Sequence, residues 1–318
     1  MLITVFTPAY NRGHLLHRVY ESLCKQTFRD FEWVVVDDGS VDETASLFTS
    51  NDNDNVNDNS SIRLYTFSSK NEVESGHTSD LRHQTSNFPI RYFYQENGGK
   101  HRAINRGVKE AQGELFFIVD SDDALVPNSL EMIKQKYEAI RDNHSFCGVA
   151  GMKGYFNRTK VGTQIEFSYL DCTILESSWK YHVYGDKAEA IRTKIMKEFP
   201  FPEYEGEKFC PEALIWNRIS TRYKIRYFDE IIYLCEYLPD GLTSKISKLL
   251  EKNIKSTMKT YKEMNEYENV PLKFRIRAAI NYYRYTLLHS FKYDTEFRLK
   301  LKWIWTLPLG IAARIIKG

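Results

Sequence analysis

Phe116-Phe117-Ile118-Val119 runs directly into Asp120-Ser121-Asp122-Asp123. Four apolar residues suit a buried strand, and a strand covered on both faces cannot carry adjacent charges. The three carboxylates must therefore emerge together at its carboxyl end. Carboxylate oxygens converging on one spot repel one another unless a hard cation binds between them. In an open α/β sheet the carboxyl ends of the strands are also where ligands bind. The run reads as a divalent-metal site serving a phosphate-bearing substrate. The plainer reading is an acidic strand-to-helix turn whose Asp residues cap the next helix.

The preceding sequence supplies companions for that strand. Leu2 to Thr7 is a β-branched run stopped by Pro8, and Leu15, Leu16, Val19, Tyr20 and Leu23 follow at helical spacing. Phe31 to Val36 is a second strand ending in Asp37-Asp38-Gly39-Ser40, after which Asp42-Glu43-Thr44 is expected to open a helix. Ile90 to Tyr94 forms a third strand, His101 to Ala111 a helix, and Leu115 to Val119 the fourth strand. Strand-helix alternation with short polar connections indicates an α/β fold, a doubly wound, mostly parallel sheet with flanking helices. Residues 49–89 interrupt it. The tracts Asn51-Asp52-Asn53-Asp54-Asn55 and Asn57-Asp58-Asn59 cannot bury enough apolar surface for a core, so a polar surface insertion is expected there.

The chain has 318 residues and a net charge of +2, which implies no nucleic-acid partner. The charge is uneven: residues 242–318 hold 16 Lys and Arg against 6 Asp and Glu, a net of +10, leaving about −8 for the rest. A catalytic region over 1–243, with 124–243 as its acceptor-side half, is expected to precede a helical, basic C-terminal region over 244–318. Cys24, Cys147, Cys172, Cys210 and Cys235 are scattered, odd in number and without C-x-x-C spacing, which argues for a reducing compartment. Leu2 to Phe6 flows into a polar turn rather than a signal sequence, and no run of about 18 apolar residues occurs. A cytoplasmic location is expected.

Four segments gather at the expected strand ends: Thr7 to Arg12, Asp37 to Ser40, Asn97-Gly98-Gly99-Lys100-His101, and Asp120 to Asp123. In a parallel sheet they share one edge. Tyr10 offers a flat face to a base and Asp38 an acceptor to an imide N–H. Gly98 and Gly99 permit close backbone approach to a phosphate, and Lys100 adds positive charge.

These segments occur in a particular order. Thr7-Pro8-Ala9-Tyr10-Asn11-Arg12 is followed by Gln26-Thr27-Phe28 with Phe31-Glu32, and then by Val36-Asp37-Asp38-Gly39-Ser40 with Asp42-Glu43-Thr44. Asn97-Gly98-Gly99 with Ala103, Asn105 and Gly107, Ala111 with Gly113-Glu114, and Asp120-Ser121-Asp122-Asp123 complete the series. The string resembles glycosyltransferase family 2, of the GT-A fold and the bacterial surface-polysaccharide type, densely over residues 1 to about 130 and loosely to about 245. The resemblance implies an inverting, divalent-metal-dependent transferase that moves a sugar from a UDP-sugar to a hydroxyl of a glycan or lipid-linked glycan.

By that resemblance Pro8, Ala9, Tyr10 and Arg12 line a nucleoside pocket, and Asp38 accepts from the uracil N3–H. Asp120 and Asp122 match the D-x-D metal motif for Mn2+ or Mg2+, with Asp123 as a further ligand. Asp122 is also a contact for the donor sugar or ribose, and Ser121, Gly99, Lys100 and Asn105 are donor contacts. The catalytic base of the family often comes from an acidic pair followed six residues later by Arg. Glu212 stands six residues before Arg218, with Pro211 in place of the first acid, and Glu207 and Glu205 are the alternatives. Trp179, Tyr181, His182 and Tyr184 before Gly185-Asp186-Lys187-Ala188-Glu189 offer an acceptor or donor-sugar subsite, or else the surface salt bridge of a helix beginning near Asp186. The turn at Pro239-Asp240-Gly241 stands where the family closes a flexible segment over the nucleotide.

Residues 301–318 place Trp303, Trp305 and several aliphatics among cations, broken at Pro308. They suit either a peripheral membrane contact on the inner face of the plasma membrane or a helix packed on the catalytic region. Two other function classes fit parts of the pattern: a sugar-phosphate nucleotidyltransferase, which would consume a nucleoside triphosphate, and a non-catalytic nucleotide- or lipid-binding module, which would need no base.

Overall fold

The computed structural model describes residues 1–50, 65–68, 86–164, 166–237, 245–287 and 295–317. In chain order the first elements are β1 (Ile3–Ala9), α1 (Leu16–Cys24), β2 (Phe31–Asp37), β3 (Phe48–Ser50), β4 (Tyr65–Phe67), β5 (Ile90–Tyr94), α2 (Lys100–Glu110) and β6 (Leu115–Ile118). Then come β7 (Ala124–Leu125), α3 (Ser129–Glu138), β8 (Phe146–Tyr155), β9 (Leu170–Cys172), α4 (Ile174–Trp179), β10 (Lys187–Arg192), α5 (Thr193–Glu198), α6 (Ala213–Ser220) and β11 (Lys224–Cys235). The C-terminal helices are α7 (Ile246–Lys252), α8 (Ile254–Glu266), α9 (Leu272–Thr286) and α10 (Leu307–Lys317).

The main sheet runs β5-β2-β1-β6-β10-β8-β11-β7, with β9 paired to β11. β5, β2, β1 and β6 are parallel, as the alternating pattern anticipates. β10 is antiparallel to both β6 and β8, and β11 pairs parallel with β8. Only the N-terminal half is therefore a parallel sheet. β1, β2 and β6 are buried on both faces: Ile3, Val5, Trp33, Val35 and Phe117 enter one apolar cluster, while Phe6, Val34, Val36 and Phe116 enter the other. Period-2 side-chain geometry divides each continuous apolar run between the two layers.

Two expectations are corrected. Asp42 does not open an α-helix, because its carboxylate closes the loop by taking the N–H of Gly13 (3.0 Å) and of Thr44 (3.0 Å); only a 3-10 turn, Ala45–Leu47, follows. The 49–89 insertion is not polar throughout. β3 and β4 form a two-stranded antiparallel sheet whose Phe48 and Phe67 are buried against each other (5.3 Å) and against Trp33. Its Asn- and Asp-rich tracts, 51–59, lie outside the described residues.

α8, α9 and the segment 297–303 build a third apolar cluster around Met258, Ala279, Tyr282 and Trp303. It is joined to α6 by a bidentate Arg218–Glu263 pair (2.8 Å twice). No described helix is long and apolar enough to cross a membrane.

Candidate active site

The carboxyl edge of the parallel strands is held by backbone-directed hydrogen bonds. Asp38 N–H donates to the Ala9 carbonyl (2.8 Å), joining the ends of β1 and β2. Asn11, in the left-handed region at φ 51°, donates its N–H to Ser40 Oγ (2.8 Å) and accepts from Val41 N–H (2.8 Å). Asp37 is fully buried and receives Ser40 N–H (2.8 Å) and the Tyr92 hydroxyl (2.7 Å). Pro8 and Ala9 are buried in β1, whereas Tyr10 is 49% exposed and presents its ring at the edge.

Asp38 organises the glycine loop. Its Oδ1 accepts Gln95 Nε2 (2.7 Å) and Gly98 N–H (2.9 Å), and its Oδ2 accepts Asn97 Nδ2 (3.1 Å) and Gly99 N–H (2.7 Å). A carboxylate offers about four acceptor positions, so a uracil imide could be accepted only by displacing Gln95 or Asn97. Gly99 has φ +95°, and a Cβ there would collide with the Lys208 carbonyl. In this structure its lack of a side chain thus serves the approach of 208 to the start of α2.

Beside this loop lies a cluster of opposed charges. Lys100, the first residue of α2, places Nζ 2.7 Å from Asp120 Oδ1 and 2.9 Å from Glu212 Oε1. Burial disfavours the ammonium, yet the two carboxylates hold its pKa well above the ordinary lysine range. Burial likewise opposes ionisation of Asp120, but Lys100 and Lys153 keep its carboxyl below the ordinary range. Asp123 is buried, and desolvation and the Asp120 charge push it up to about 7 against the pull of Lys153. Asp122 is raised by the same two causes, with Arg12 and Lys100 opposing. The Tyr233 hydroxyl donates to Asp123 Oδ2 (2.6 Å) while accepting the Asp120 N–H (2.9 Å), so β11 fixes the acidic turn at two points.

Among the described residues no three His, Cys, Asp or Glu side chains are grouped closely enough to hold a metal ion. The electrostatics nonetheless fit a divalent cation. Burial first, and then the neighbouring Asp120 charge, raise Asp122 and Asp123 despite the pull of Lys100 and Lys153, so ionising all three is unfavourable without a further cation, and hard oxygen donors are what Mn2+ or Mg2+ prefers.

The structure brings Lys100, Asp120 and Glu212 into direct contact, with Asp122, Asp123 and Arg12 in the same electrostatic neighbourhood. Ser121 is buried within the turn. Two expected site residues lie elsewhere. Asn105 is committed to the protein: its amide clamps Phe201 through both the backbone N–H (2.9 Å) and carbonyl (2.9 Å), and also donates to Glu203 (2.7 Å). Glu207 is buried and takes the N–H groups of Lys255 (2.6 Å) and Ser256 (2.9 Å), satisfying the first turn of α8, which leaves it unsuited to be a base. Glu205 is exposed on a turn.

Lys187 does not start a helix but lies in strand β10, its ammonium donating to the carbonyls of Tyr184 (2.8 Å) and Gly185 (2.7 Å). Asp186 accepts from the Tyr237 hydroxyl (3.0 Å). Leu238 to Gly241 of the expected closing segment lie outside the described residues. Arg18 bonds both the Asp122 carbonyl (3.3 Å) and Glu236 (3.3 Å), linking the acidic turn to the residues just before that segment.

Two residues of the cluster carry no motif in the sequence, Lys153 on β8 and Tyr233 on β11, and a third, Glu189 of the Gly185 to Glu189 segment, lies on β10. Burial pushes Glu189 up to about 7, opposed by Lys153 and Lys187 and reinforced by Glu212. The Lys153 ammonium stands 4.1 Å from the Tyr233 ring centroid. For Lys153 and Glu189 the available signal was a charge set within a strand.

Comparison with known proteins identifies the family. Residues 4–71 and 73–198 match the model of the family described as Glycosyl transferase family 2. Glycosyltransferase GlyG of Streptococcus pneumoniae serotype 4 is 31% identical over 248 residues, covering 73% of this chain and 70% of that protein. Poly(ribitol-phosphate) beta-N-acetylglucosaminyltransferase TarS of Staphylococcus aureus is 27% identical over 230 residues, 70% of this chain but 34% of that protein. Among solved structures, S. aureus TarS 1–349 in complex with UDP-GlcNAc superposes with a TM-score of 0.57 at 19% identity, over 98% of this chain and 81% of that one. The mannosyltransferase PcManGT of Pyrobaculum calidifontis, in complex with GDP-Man and Mn2+, gives 0.52 at 15% identity, over 99% and 75%.

Proposed function

The chain belongs to glycosyl transferase family 2 and is a glycosyltransferase, and we propose that it transfers a sugar with inversion from a UDP-sugar to a hydroxyl of a glycan or lipid-linked glycan in surface polysaccharide synthesis. The observation that carries this reading is the Lys100 bridge. One ammonium holds a carboxylate of the acidic turn and the carboxylate at the start of α6 a few ångströms apart. Those are the two places where charge must be managed in a displacement: at the departing diphosphate and at the attacking hydroxyl.

In this mechanism Tyr10 stacks on the base, and Asp38 fixes the Gly98-Gly99 loop beneath the nucleotide. Asp120, Asp122 and Asp123 would hold Mn2+ or Mg2+, which supplies Lewis-acid neutralisation of the diphosphate. Glu212 accepts the proton of the acceptor hydroxyl as its oxygen attacks C1 from the face opposite the diphosphate. The C1–O bond breaks with its electron pair on the phosphate oxygen, and an α-linked donor yields a β-glycoside. Lys100, 2.9 Å from Glu212 Oε1, aims its carboxylate. TarS is named a poly(ribitol-phosphate) beta-N-acetylglucosaminyltransferase, and at 27% identity it supports a β-linked product on a polymeric acceptor.

Titrating a panel of nucleotide sugars with Mn2+ or Mg2+ and following UDP release tests the reading. Release from one UDP-sugar, stimulated by a glycan acceptor, is expected. Turnover of a nucleoside triphosphate with sugar phosphate, and none of UDP-sugars, would overturn it.

A further inference from the structure

α10 packs on α9 through one defined face. A Cβ at Gly310 would stand 2.6 Å from Tyr283 Cβ and 3.0 Å from the Ile280 carbonyl, so the two helices meet almost backbone to backbone. Leu307 packs on the C-terminal apolar cluster, Thr306 is buried, and Arg314 bonds the Arg284 carbonyl at 3.4 Å. The packed face is therefore fixed, and the opposite face turns outward.

That outward face is apolar. Ile304 and Trp305, Leu309, and Ile315 and Ile316 recur at helical spacing and are exposed, the last two at 77% and 80%. Leu301, 82% exposed, extends the stripe. The sequence from Phe297 to Gly318 contains five cations, Arg298, Lys300, Lys302, Arg314 and Lys317, and no Asp or Glu. The helix both packs on the protein and presents an unpartnered apolar side, so the two readings of this segment in the sequence are not exclusive.

We propose that this surface docks on an anionic lipid bilayer, α10 lying in the interface plane with Trp305, Ile315 and Ile316 among the acyl chains and Lys300 and Lys302 at the phosphate level. Charge decides against a second copy of the chain. A two-fold contact through this stripe would set one cationic border against its twin, whereas an anionic headgroup layer complements it. The eleven residues of α10 suit lying on a bilayer and are too few to cross one. This proposal does not depend on the catalytic assignment.

Co-sedimentation of the full chain with vesicles tests it. Binding is expected to phosphatidylcholine vesicles containing about 30% phosphatidylglycerol and to be far weaker without the anionic lipid. Lys300→Glu with Lys302→Glu should lower the partition coefficient by more than about tenfold, and Trp305→Ser with Ile315→Ser should lower it comparably. All four side chains are exposed, so an unchanged melting temperature shows that the variants are folded. No vesicle binding, or equal binding by the wild type and both variants, would overturn the proposal. So would a vesicle-free dimer that Ile315→Ser converts to monomer in sedimentation equilibrium, because the stripe would then face a second chain.

Discussion

Lys100 Nζ stands 2.9 Å from Glu212 Oε1, tying the first residue of α2 to the residue that precedes α6. More than a hundred residues separate them in the chain. Lys100→Met leaves Glu212 without its orienting cation and Asp120 without its nearer one. UDP release should fall by roughly 10²–10³-fold, the usual cost of removing one preorganised charge partner at a reacting centre. The melting temperature should move little, since both carboxylates keep solvent contact. A large loss of stability with normal turnover would mean the bridge is only structural.

Tyr233→Phe removes a buried hydroxyl that serves Asp123 and the Asp120 N–H together. A loss of about 1–3 kcal/mol is expected from leaving those groups unsatisfied, read by denaturant unfolding. Calorimetric titration with Mn2+ should show affinity reduced about tenfold or more, as expected when a metal ligand loses its outer hydrogen bond.

Asp38→Asn substitutes an amide for the carboxylate that gathers four donors. Its NH2 would face two of them, and the Gly98-Gly99 loop should loosen at a cost of about 2–3 kcal/mol. Both the melting temperature and UDP affinity should drop. Weaker UDP binding at an unchanged melting temperature would instead confine Asp38 to contact with the base.

His101 predicts a pH effect. Its ring is buried with both nitrogens lacking a partner, and desolvation, aided by Arg102, pushes its pKa down to about 4. The folded chain binds this proton more weakly than the unfolded chain, whose histidine titrates near 6.5. Its contribution to stability is therefore fully present above about pH 6.5 and is lost as pH falls through 4, by up to about 3 kcal/mol. His101→Phe should flatten the decline in melting temperature between those pH values relative to wild type. Parallel curves for the two proteins would contradict the assignment.

The N-terminal half of the sheet was legible because each strand there is a continuous apolar run ending in a polar turn. β8, β10 and β11 were not, since each mixes charges such as Lys153, Glu189 and Asp229 into the strand and pairs across large sequence separations. Motif residues were legible by position but not by task. Gln26 ties α1 to the start of α3 through Val126 and Leu130, and Glu32 takes Thr4, Arg91 and the Gln112 N–H in the core. Asn105 and Glu207 look like site residues in a linear reading, yet hydrogen bonding to distant backbone commits both to architecture. Lys100 was expected against a phosphate, and its pairing with Glu212 depends on how α6 packs, which no local pattern encodes.

The central claim is that Glu212 is the base, and Glu212→Gln tests it most directly. The substitution preserves shape and removes only the ability to accept a proton. Calorimetric titration of the variant with the active UDP-sugar should give an affinity within about threefold of wild type, while transfer to the acceptor falls by at least about 10³-fold. Full transfer activity in Glu212→Gln would contradict the account and direct the search to Glu205.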